Sequence, residues 1–205
     1  MRTFFGQFFS NFKTTGAILP SGGFLARRMT RPARKADGPM RILEIGPGTG
    51  AFTRHLLRNL QSGDELHIVE INTTFAEYLE SRLLKTFRRE NPDIQVHLHC
   101  ASIEEAPIDG VFDYIVCGLP FNNFPVSLVR QIFRRMMSLL ADGGKLTFFE
   151  YAGVRALKAP MVGSRGREQM KRHAATMKVL VRRHRGQRDF VLVNMPPAYA
   201  HQLTR

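Results

Sequence analysis

Residues 41–57 read RILEIGPGTGAFTRHLL, and this stretch decides the fold of the chain. A short apolar run is closed by Gly46, Gly48 and Gly50, and a helical pattern follows from Ala51. This order of strand, tight glycine-rich turn and helix opens a βαβ unit. Because glycines let the backbone approach a ligand closely, and a helix N-terminus favours a polar or anionic group, the stretch predicts a ligand site.

A second apolar run, ELHIVEIN, ends in an acidic residue, Glu70, twenty positions beyond Gly50. A carboxylate at the tip of the second strand is placed to accept hydrogen bonds from both hydroxyls of a ribose. The glycine turn and Glu70 together predict a cofactor that contains a nucleoside.

Apolar runs and helical patterns then alternate along the chain. The pattern predicts strands near residues 40–45, 66–70, 94–99, 112–117 and 145–150, and helices near 51–60, 73–89 and 125–140. Such alternation favours a Rossmann-like α/β domain, with a mostly parallel sheet covered by helices on both faces and a ligand at the carboxyl ends of the strands. AYAHQL, near the end, suits a last edge strand.

Length and cysteine content restrict the class of protein. The chain has 205 residues, which suits one domain with a full core. Cys100 and Cys117 lie in apolar runs without a CxxC pattern, so we expect reduced core residues and no metal site. There is no apolar run of about 18 residues that would span a membrane, and the start is a poor secretion signal, so we expect a cytoplasmic protein.

The positive charge is concentrated at the two ends of the chain. The formal net charge is +13, with seven Lys/Arg against one acid in residues 1–40 and twelve against two in residues 151–205. The middle, 41–150, holds eleven Lys/Arg against fourteen acids. Basic flanks of this kind attract nucleic acid or an anionic lipid surface, and charge alone does not choose between them.

Phenylalanines recur at helical spacing in residues 3–13. Phe5, Phe8, Phe9 and Phe12 would share one face of a helix, with Phe4 at its edge and Lys13 nearby. Such a helix either packs on its own domain or lies in a bilayer interface, and we favour the interface. We divide the chain into residues 1–39, with this amphipathic helix, a short capping helix that Ser21 begins and a basic linker, and a catalytic domain over 40–205.

A basic insertion, 153–188, interrupts that domain. Within it an apolar seam at helical spacing lies beside a basic stripe; the seam is Met170, Ala174, Met177 and Val181, and the stripe is Lys171, Lys178, Arg182 and Arg185. The pattern suits a helix at a charged surface and equally a helix docked on the core with a solvated basic flank.

Several stretches together resemble one family. They are the Phe-rich start, GAILPSGGFLARRM (16–29), EIGPGTG (44–50), VEIN (69–72), HCASIEE (99–105), DYIVCGLPFNNFPVSLVRQIF (113–133) and NMPPA (194–198). The chain resembles the class I S-adenosylmethionine-dependent methyltransferases, and more narrowly the bacterial phosphatidylethanolamine N-methyltransferases. The resemblance implies methylation of phosphatidylethanolamine and its methylated intermediates toward phosphatidylcholine. It also implies a peripheral protein on the inner membrane, with a phospholipid substrate and an anionic membrane surface as partners; we expect a monomer that binds no nucleic acid.

The resemblance also implies roles for individual residues. The set assigned to S-adenosyl-L-methionine is Glu44, Gly46, Pro47, Gly48 and Gly50 around the methionine portion, Glu70 and Ile71 at the ribose and adenine, Ser102 and Ile103 near the adenine amino group, and Gly118 and Leu119 between methyl donor and acceptor. Many relatives carry Asp where this chain has Ala101, so the assignment there falls on Ser102. Pro120, Phe121 and Tyr151 are assigned to the substrate, with Tyr151 as the candidate catalytic residue.

Each assignment has a packing alternative. Ser102 can cap a helix, Phe121 can be a core aromatic rather than a wall for the ammonium, and Tyr151 can be a half-buried packing residue. The histidines of the strand runs, His67, His97 and His99, are read as structural, and His201 is a remote candidate base.

Two other functions compete with lipid methylation. An rRNA adenine N6-dimethyltransferase has a similar glycine loop and an Asn-Leu-Pro-aromatic sequence after strand four, but this chain has Gly118 in place of that Asn. We also expect this chain to lack the helical carboxy-terminal domain of that family. An inactive cofactor-binding adaptor is the third interpretation, and the intact glycine turn with Glu70 argues against it.

Overall fold

A computed structural model describes residues 22–34, 38–152, 163–184, 186–194 and 196–205. The helices are α1 (Gly23–Thr30), α2 (Ala51–Leu57), α3 (Thr73–Leu79), α4 (Lys85–Glu90), α5 (Val126–Leu139) and α6 (Ser164–Arg183). The strands are β1 (Arg41–Ile45), β2 (Glu65–Val69), β3 (Gln95–His99), β4 (Phe112–Cys117), β5 (Leu140–Tyr151), β6 (Gln187–Val191) and β7 (Ala198–Thr204). The helix predicted over residues 3–13 lies outside the described residues, as does Ser21.

The predicted strands and helices are confirmed, with differences at their ends. AYAHQL forms β7, which lies between β5 and β6, so its expected place at the edge of the sheet is wrong. The helix predicted over 73–89 consists of α3 and α4 joined by a π-helical turn, Glu80–Leu84. β5 begins at Leu140 rather than near 145, because the Asp142–Gly143 step forms an irregularity inside the strand instead of a turn before it. α1 begins at Gly23, with Gly22 at its N-cap and no side-chain capping hydrogen bond.

The sheet has seven strands in the order β3-β2-β1-β4-β5-β7-β6. Pairs from β3 to β5 are parallel, whereas β7 is antiparallel to both β5 and β6. The strand order therefore reverses direction between β1 and β4. In open α/β sheets this switch point opens a crevice at the carboxyl ends of the strands, and ligands bind there.

Apolar side chains cover both faces of the sheet. On one face Leu43, Phe133 and Phe148 pack with residues of α5 and α6, and on the other Leu25 and Met29 of α1 pack against β1, β4 and β5. The Tyr114 hydroxyl in β4 donates to the Met29 carbonyl. α1 therefore belongs to the core of the same body as the sheet.

The apolar seam of α6 is docked on the core. Met177 is only 2% exposed, and His173 and Thr176 are buried beside it. Lys171 and Lys178 on the basic stripe are exposed. Of the two arrangements that the sequence left open, the structure has the docked helix with a solvated basic flank.

The two cysteines differ in environment. Cys117 is buried as predicted, but Cys100 is exposed, so its assignment to the core is wrong. Cys100 directly follows β3, the edge strand, where the chain turns away from the sheet. Among the described residues, no helix is both long and apolar enough to cross a membrane.

Candidate active site

The turn after β1 is built on three left-handed glycines. Gly46, Gly48 and Gly50 have φ angles of 67°, 57° and 81°, in a region that side chains disfavour. The Gly46 amide donates to the Val69 carbonyl at 2.9 Å, and the Gly50 amide to the Pro47 carbonyl at 3.0 Å. These bonds fix the turn to the tip of β2 and direct the start of α2 along it.

Gly46 and Gly118 let the ends of β1 and β4 pack closely, whereas Gly48 borders open space. A Cβ atom on Gly118 would lie 2.4 Å from the Gly46 carbonyl oxygen, and one on Gly46 would lie 2.4 Å from Leu119 Cδ2. A Cβ atom on Gly48 would meet nothing within 4 Å. The switch point is therefore tightly packed behind Gly46, and the backbone at Gly48 faces open space.

Glu70 lies at the tip of β2, where the sequence predicts it. Its side chain is 5% exposed. Oε2 accepts a hydrogen bond from the Gly48 amide at 3.0 Å, and Oε1 accepts one from the Asn72 amide at 2.8 Å. Burial raises its pKa, although these amide bonds lower it. Each oxygen keeps a second lone pair for a ligand hydroxyl.

Glu44 is the most deeply buried carboxyl group of the site. It is 0% exposed, and neither oxygen completes a hydrogen bond with a described residue. The Thr53 hydroxyl is next to the Glu44 carboxyl, and it too lacks a hydrogen-bond partner among the described residues. Burial raises the pKa of Glu44 to about 8, and the nearby charge of Glu70 adds to the rise. Unpartnered buried carboxyl oxygens are costly, so this site fits a ligand that carries donors or positive charge.

The assigned adenine contacts surround the tip of β3. Ile103 is buried in the core, Ile71 is partly buried against it, and Ser102 is 4% exposed. The Ser102 hydroxyl donates to Glu105 Oε2 at 3.0 Å, and its carbonyl accepts from the Glu105 and Ala106 amides. Ser102 therefore stabilises a local turn, and a contact with adenine stays a prediction.

The turn after β4 separates its apolar residues into two environments. Leu119 fills the space beside Gly46, and Pro120 is half-buried. The Phe121 ring is fully buried among Phe124, Phe133 and Phe148, with centroids 5.1–6.1 Å away. This packing explains Phe121 as a core aromatic, and its assignment to the substrate stays a prediction.

Tyr151 and Asn122 meet at the tips of β4 and β5. Tyr151 is half-buried, and its ring packs edge-on against Phe149 at 5.1 Å. Asn122 Nδ2 is 3.5 Å from the Tyr151 carbonyl oxygen, whereas Asn122 Oδ1 is buried without a hydrogen-bond partner among the described residues. The sequence analysis missed Asn122, although the GLPFNNFP motif contains it.

His201 and His173 are structural neighbours of the site. The His201 ring stacks on Phe148 at 4.6 Å, and its Nε2 lies 3.1 Å from Glu150 Oε2. His173 Nε2 is 2.7 Å from the Phe121 carbonyl oxygen, which ties α6 to the turn after β4. Both side chains are buried, so His201 is placed in the interior rather than at the exposed edge.

A buried glycine turn at a switch point, with a carboxylate at the tip of β2, defines an α/β domain that binds a nucleoside-containing cofactor. A family model described as "Methyltransferase domain" matches residues 42–144, about half of the chain, and the chain belongs to that family. It is 27% identical over 146 residues to an ornithine lipid N-methyltransferase of Singulisphaera acidiphila, covering 69% of this chain and 72% of the relative.

Solved structures show the same fold. The N-methyltransferase NodS from Bradyrhizobium japonicum WM9 matches 89% of this chain and 93% of its own length, at 15% identity and a TM-score of 0.62. The O-methyltransferase TomG from Streptomyces achromogenes, solved with S-adenosylmethionine, matches 89% of this chain and 78% of its own length, at 19% identity and a TM-score of 0.60. The fold is therefore the Rossmann-like fold of class I methyltransferases.

The cofactor of the chain is S-adenosyl-L-methionine, and the residues of this edge fit it. Glu70 is placed to accept from ribose hydroxyls, and the open space at Gly48 admits the ligand beside the backbone. Glu44 is buried behind the turn, so a contact between its carboxyl and the methionine portion stays a prediction. The chain is thus an S-adenosylmethionine-dependent methyltransferase. We call the tips of β1, β2 and β4 the donor half of the edge.

Proposed function

We propose that this chain methylates the amine of a membrane lipid, phosphatidylethanolamine and its methylated intermediates, at a bilayer surface. The ornithine lipid N-methyltransferase noted above supports the general class of lipid N-methylation. The choice of phosphatidylethanolamine follows the sequence motifs, in particular GLPFNNFP and GAILPS.

The observation that carries the proposal is a set of exposed apolar side chains beside the cofactor site. Phe24 is 63% exposed, Leu192 68% and Val193 69%. Val191 aligns with Ala198 of β7, and Ala198 aligns with Tyr151 at the carboxyl end of β5. Leu192 and Val193 therefore follow β6 at the same edge of the sheet as Tyr151.

Phe24 is held at this edge by a long-range contact. The Gly22 amide at the start of α1 donates to Asn194 Oδ1 at 2.8 Å, so the first turn of α1 lies beside the turn after β6. We call Phe24, Leu192 and Val193 the apolar edge patch. Exposed apolar residues next to a catalytic edge are typical of a protein whose catalytic edge contacts lipid.

A basic groove gives further support for an anionic surface. An open groove of about 1060 Å³ between α5 and α6 is lined by Arg130, Arg134, Arg172 and Arg183 around an apolar floor, and the described residues that line it include no carboxylate. Each cation near an anionic bilayer contributes about 1 kcal/mol of attraction. In our proposal the groove and the basic flanks of the chain both attract the anionic bilayer.

The chemistry needs an oriented and unprotonated amine. The bound cofactor supplies an electrophilic methyl group on a sulfonium, and the displacement is in line, so positioning contributes much of the rate. In the proposal Asn122 Oδ1 accepts an N–H of the lipid amine, which leaves the nitrogen lone pair free to attack. Tyr151 orients the headgroup from the tip of β5. Before each attack the ammonium form of the amine loses one proton to solvent. In the third transfer the dimethylamine has no N–H for Asn122 to accept, and the product is a quaternary ammonium.

Adenine methylation in RNA has less support. The family that methylates adenine uses an Asn where this chain has Gly118, and a side chain there would meet the Gly46 carbonyl oxygen. The tips of β1 and β4 therefore pack too closely at Gly118 to hold the Asn side chain that adenine methylation uses.

Transfer of labelled methyl groups tests the substrate class. The purified chain would be incubated with labelled S-adenosyl-L-methionine and vesicles of phosphatidylethanolamine with phosphatidylglycerol, vesicles containing ornithine lipid, or ribosomal RNA. We expect labelled mono-, di- and trimethylated ethanolamine lipid. Label in ornithine lipid alone or in RNA alone would reject phosphatidylethanolamine as the substrate, and no label in any acceptor would reject lipid methylation.

A vesicle-sedimentation assay tests whether the apolar edge patch binds lipid. Replacing Phe24, Leu192 and Val193 together by Ser should reduce binding to the anionic vesicles at least tenfold and leave cofactor affinity unchanged. Val111→Ser is the matched control, because Val111 is 48% exposed but precedes β4 at the opposite edge. Replacing Phe5, Phe8, Phe9 and Phe12 by Ser tests the predicted amphipathic helix in the same assay. Unchanged binding by the edge variant would contradict the apolar edge patch as a lipid contact.

A further inference from the structure

A cluster of imidazole and carboxylate groups lies across β2 and β3, at the side of the sheet away from the apolar edge patch. Glu65 and His67 share one face of β2, and His97 aligns with His67 on the edge strand β3. One oxygen or nitrogen from each of these three side chains falls within 4.8 Å of the other two. The cluster has no part in the proposed methyl transfer.

The distances are close to those of a metal site. Glu65 Oε1 is 2.6 Å from His67 Nε2 and 3.9 Å from His97 Nε2. Ligand atoms around a tetrahedral zinc ion, at metal–ligand distances of about 2.0–2.1 Å, are separated by about 3.4 Å. The third separation, between His67 and His97, is at most 4.8 Å, so side-chain adjustments of about 1.5 Å or less would bring the three atoms to this spacing.

Neighbouring groups orient two of the three ligands. His67 Nδ1 lies 3.0 Å from His99 Nε2, so a tautomer with the proton on Nδ1 donates to His99 and turns the Nε2 lone pair toward Glu65. Glu65 Oε2 accepts from Arg41 Nε at 2.5 Å, which directs Oε1 toward the histidines. Metal-binding His and carboxylate side chains are commonly held by outer partners of this kind.

Arg41 is the cation that competes with a metal. Its Nη2 lies 3.5 Å from Glu65 Oε1, but its Nη1 donates to the Asp109 and Val111 carbonyls, and the guanidinium lies over the Phe112 ring. These contacts hold the guanidinium on the Oε2 side of the carboxylate. His97 is 44% exposed, so the other side of Oε1 is open to solvent.

We propose that Glu65, His67 and His97 bind a divalent transition-metal ion of the Zn²⁺ class, with His99 and Arg41 orienting the ligands. A set of two imidazoles and one carboxylate suits Zn²⁺ and its neighbours in the first transition row. The ion joins the edge strand β3 to β2, and its function is structural. The expectation of no metal site came from the cysteines, whereas this site is built from histidines that the sequence assigns to packing.

Metal titration of the full chain without an affinity tag tests the proposal. We expect calorimetry with Zn²⁺ to give one site per chain, the visible spectrum of Co²⁺ to report tetrahedral coordination, and Zn²⁺ to raise the unfolding temperature. His97→Gln should weaken binding more than tenfold, and His99→Phe about tenfold, since it removes only an orienting partner.

His184→Gln is the matched control, because His184 lies at the end of α6 and outside the cluster. Its binding should equal that of the unaltered chain, and the affinity for S-adenosyl-L-methionine should be the same in all variants. Absence of one-to-one binding in the unaltered chain would overturn the proposal, as would equal Zn²⁺ affinity in the folded His97→Gln variant.

Discussion

The two halves of the catalytic edge are built in opposite ways. The donor half is polar and tightly packed, with two buried carboxyl groups and a backbone whose glycines leave no space behind Gly46. The tips of β5, β7 and β6, with the start of α1 and with Asn122 beside Tyr151, form an acceptor half that exposes the apolar edge patch. The polar half suits a charged cofactor. In our proposal, the apolar half of the same edge contacts a lipid.

The halves also differ in the sequence distance of the contacts that form them. The donor half rests on contacts such as Gly48 to Glu70, 22 residues apart. The acceptor half depends on the contact from Gly22 to Asn194, 172 residues apart. Substitutions in the donor half should therefore act on cofactor binding, and those in the acceptor half on the transfer step and on lipid.

The largest effect is expected inside the donor half, where the tips of β1 and β4 meet. Gly118→Ala places a Cβ atom 2.4 Å from the Gly46 carbonyl oxygen, which cannot move without displacing the glycine turn. We expect about 1–3 kcal/mol of lost stability, from overpacking, and at least a tenfold loss of cofactor affinity. Thermal unfolding and calorimetry measure both. Gly23→Ala is the control, because a Cβ there meets nothing within 4 Å; equal behaviour of the two variants would contradict the close packing.

Removing the Glu70 carboxylate should strongly weaken cofactor binding. Glu70→Ala should weaken binding of S-adenosyl-L-methionine more than tenfold, because a hydrogen bond to a charged group is worth about 1.5–3 kcal/mol. Glu77→Ala, an exposed substitution on α3, is the control. A dissociation constant unchanged by Glu70→Ala would remove Glu70 from the site.

A change in the acceptor half should separate catalysis from cofactor binding. Asn122→Leu removes the unpartnered Oδ1 and should lower kcat about fivefold, roughly the value of one neutral hydrogen bond. The cofactor dissociation constant should not change. Asn123→Ala, at the exposed neighbouring position, is the control for the turn. If Asn122→Leu weakens cofactor binding as much as it lowers kcat, Asn122 belongs to the donor half instead.

Only a small effect on cofactor binding near neutral pH is expected at Glu44. Its pKa of about 8 means that the carboxyl is mostly protonated at pH 7, so Glu44→Gln should weaken cofactor binding only about threefold there. Since the folded pKa lies above the unfolded value of 4.5, the protonated group favours folding below pH 4.5, and this contribution is lost as pH rises through about 8. The cofactor-free chain should therefore lose stability from pH 5 to 8 through Glu44.

Thermal unfolding as a function of pH measures this loss. The Glu44→Gln variant should lack that part of the pH dependence and be more stable than the unaltered chain at pH 8. Parallel curves for the two proteins would contradict the raised pKa.

The sequence predicts the donor half well because its signals are local. The spacing of three glycines and of Glu70 reflects backbone conformations and a strand length, and the structure places them at the switch point. The alternation of strands and helices is likewise a local pattern. The assigned roles of Pro120, Phe121 and Tyr151 at the substrate stay predictions.

Features that depend on pairing between distant segments were not predictable. Asn122 gains significance only from its unpartnered oxygen beside Tyr151, and the His67–His97 alignment requires the register of β2 and β3. The exposed position of Cys100 follows from β3 being an edge strand, which the run of apolar residues does not reveal.

The hydrogen bond between Gly22 and Asn194 has a consequence for the first 21 residues. It fixes the point at which they join the body of the protein, beside the turn that carries Leu192 and Val193. A chain of 21 residues extends at most about 70–75 Å. Residues 1–21 are therefore attached beside the apolar edge patch. If our proposal holds, binding of a membrane by either the patch or this segment would raise the effective concentration of that membrane for the other.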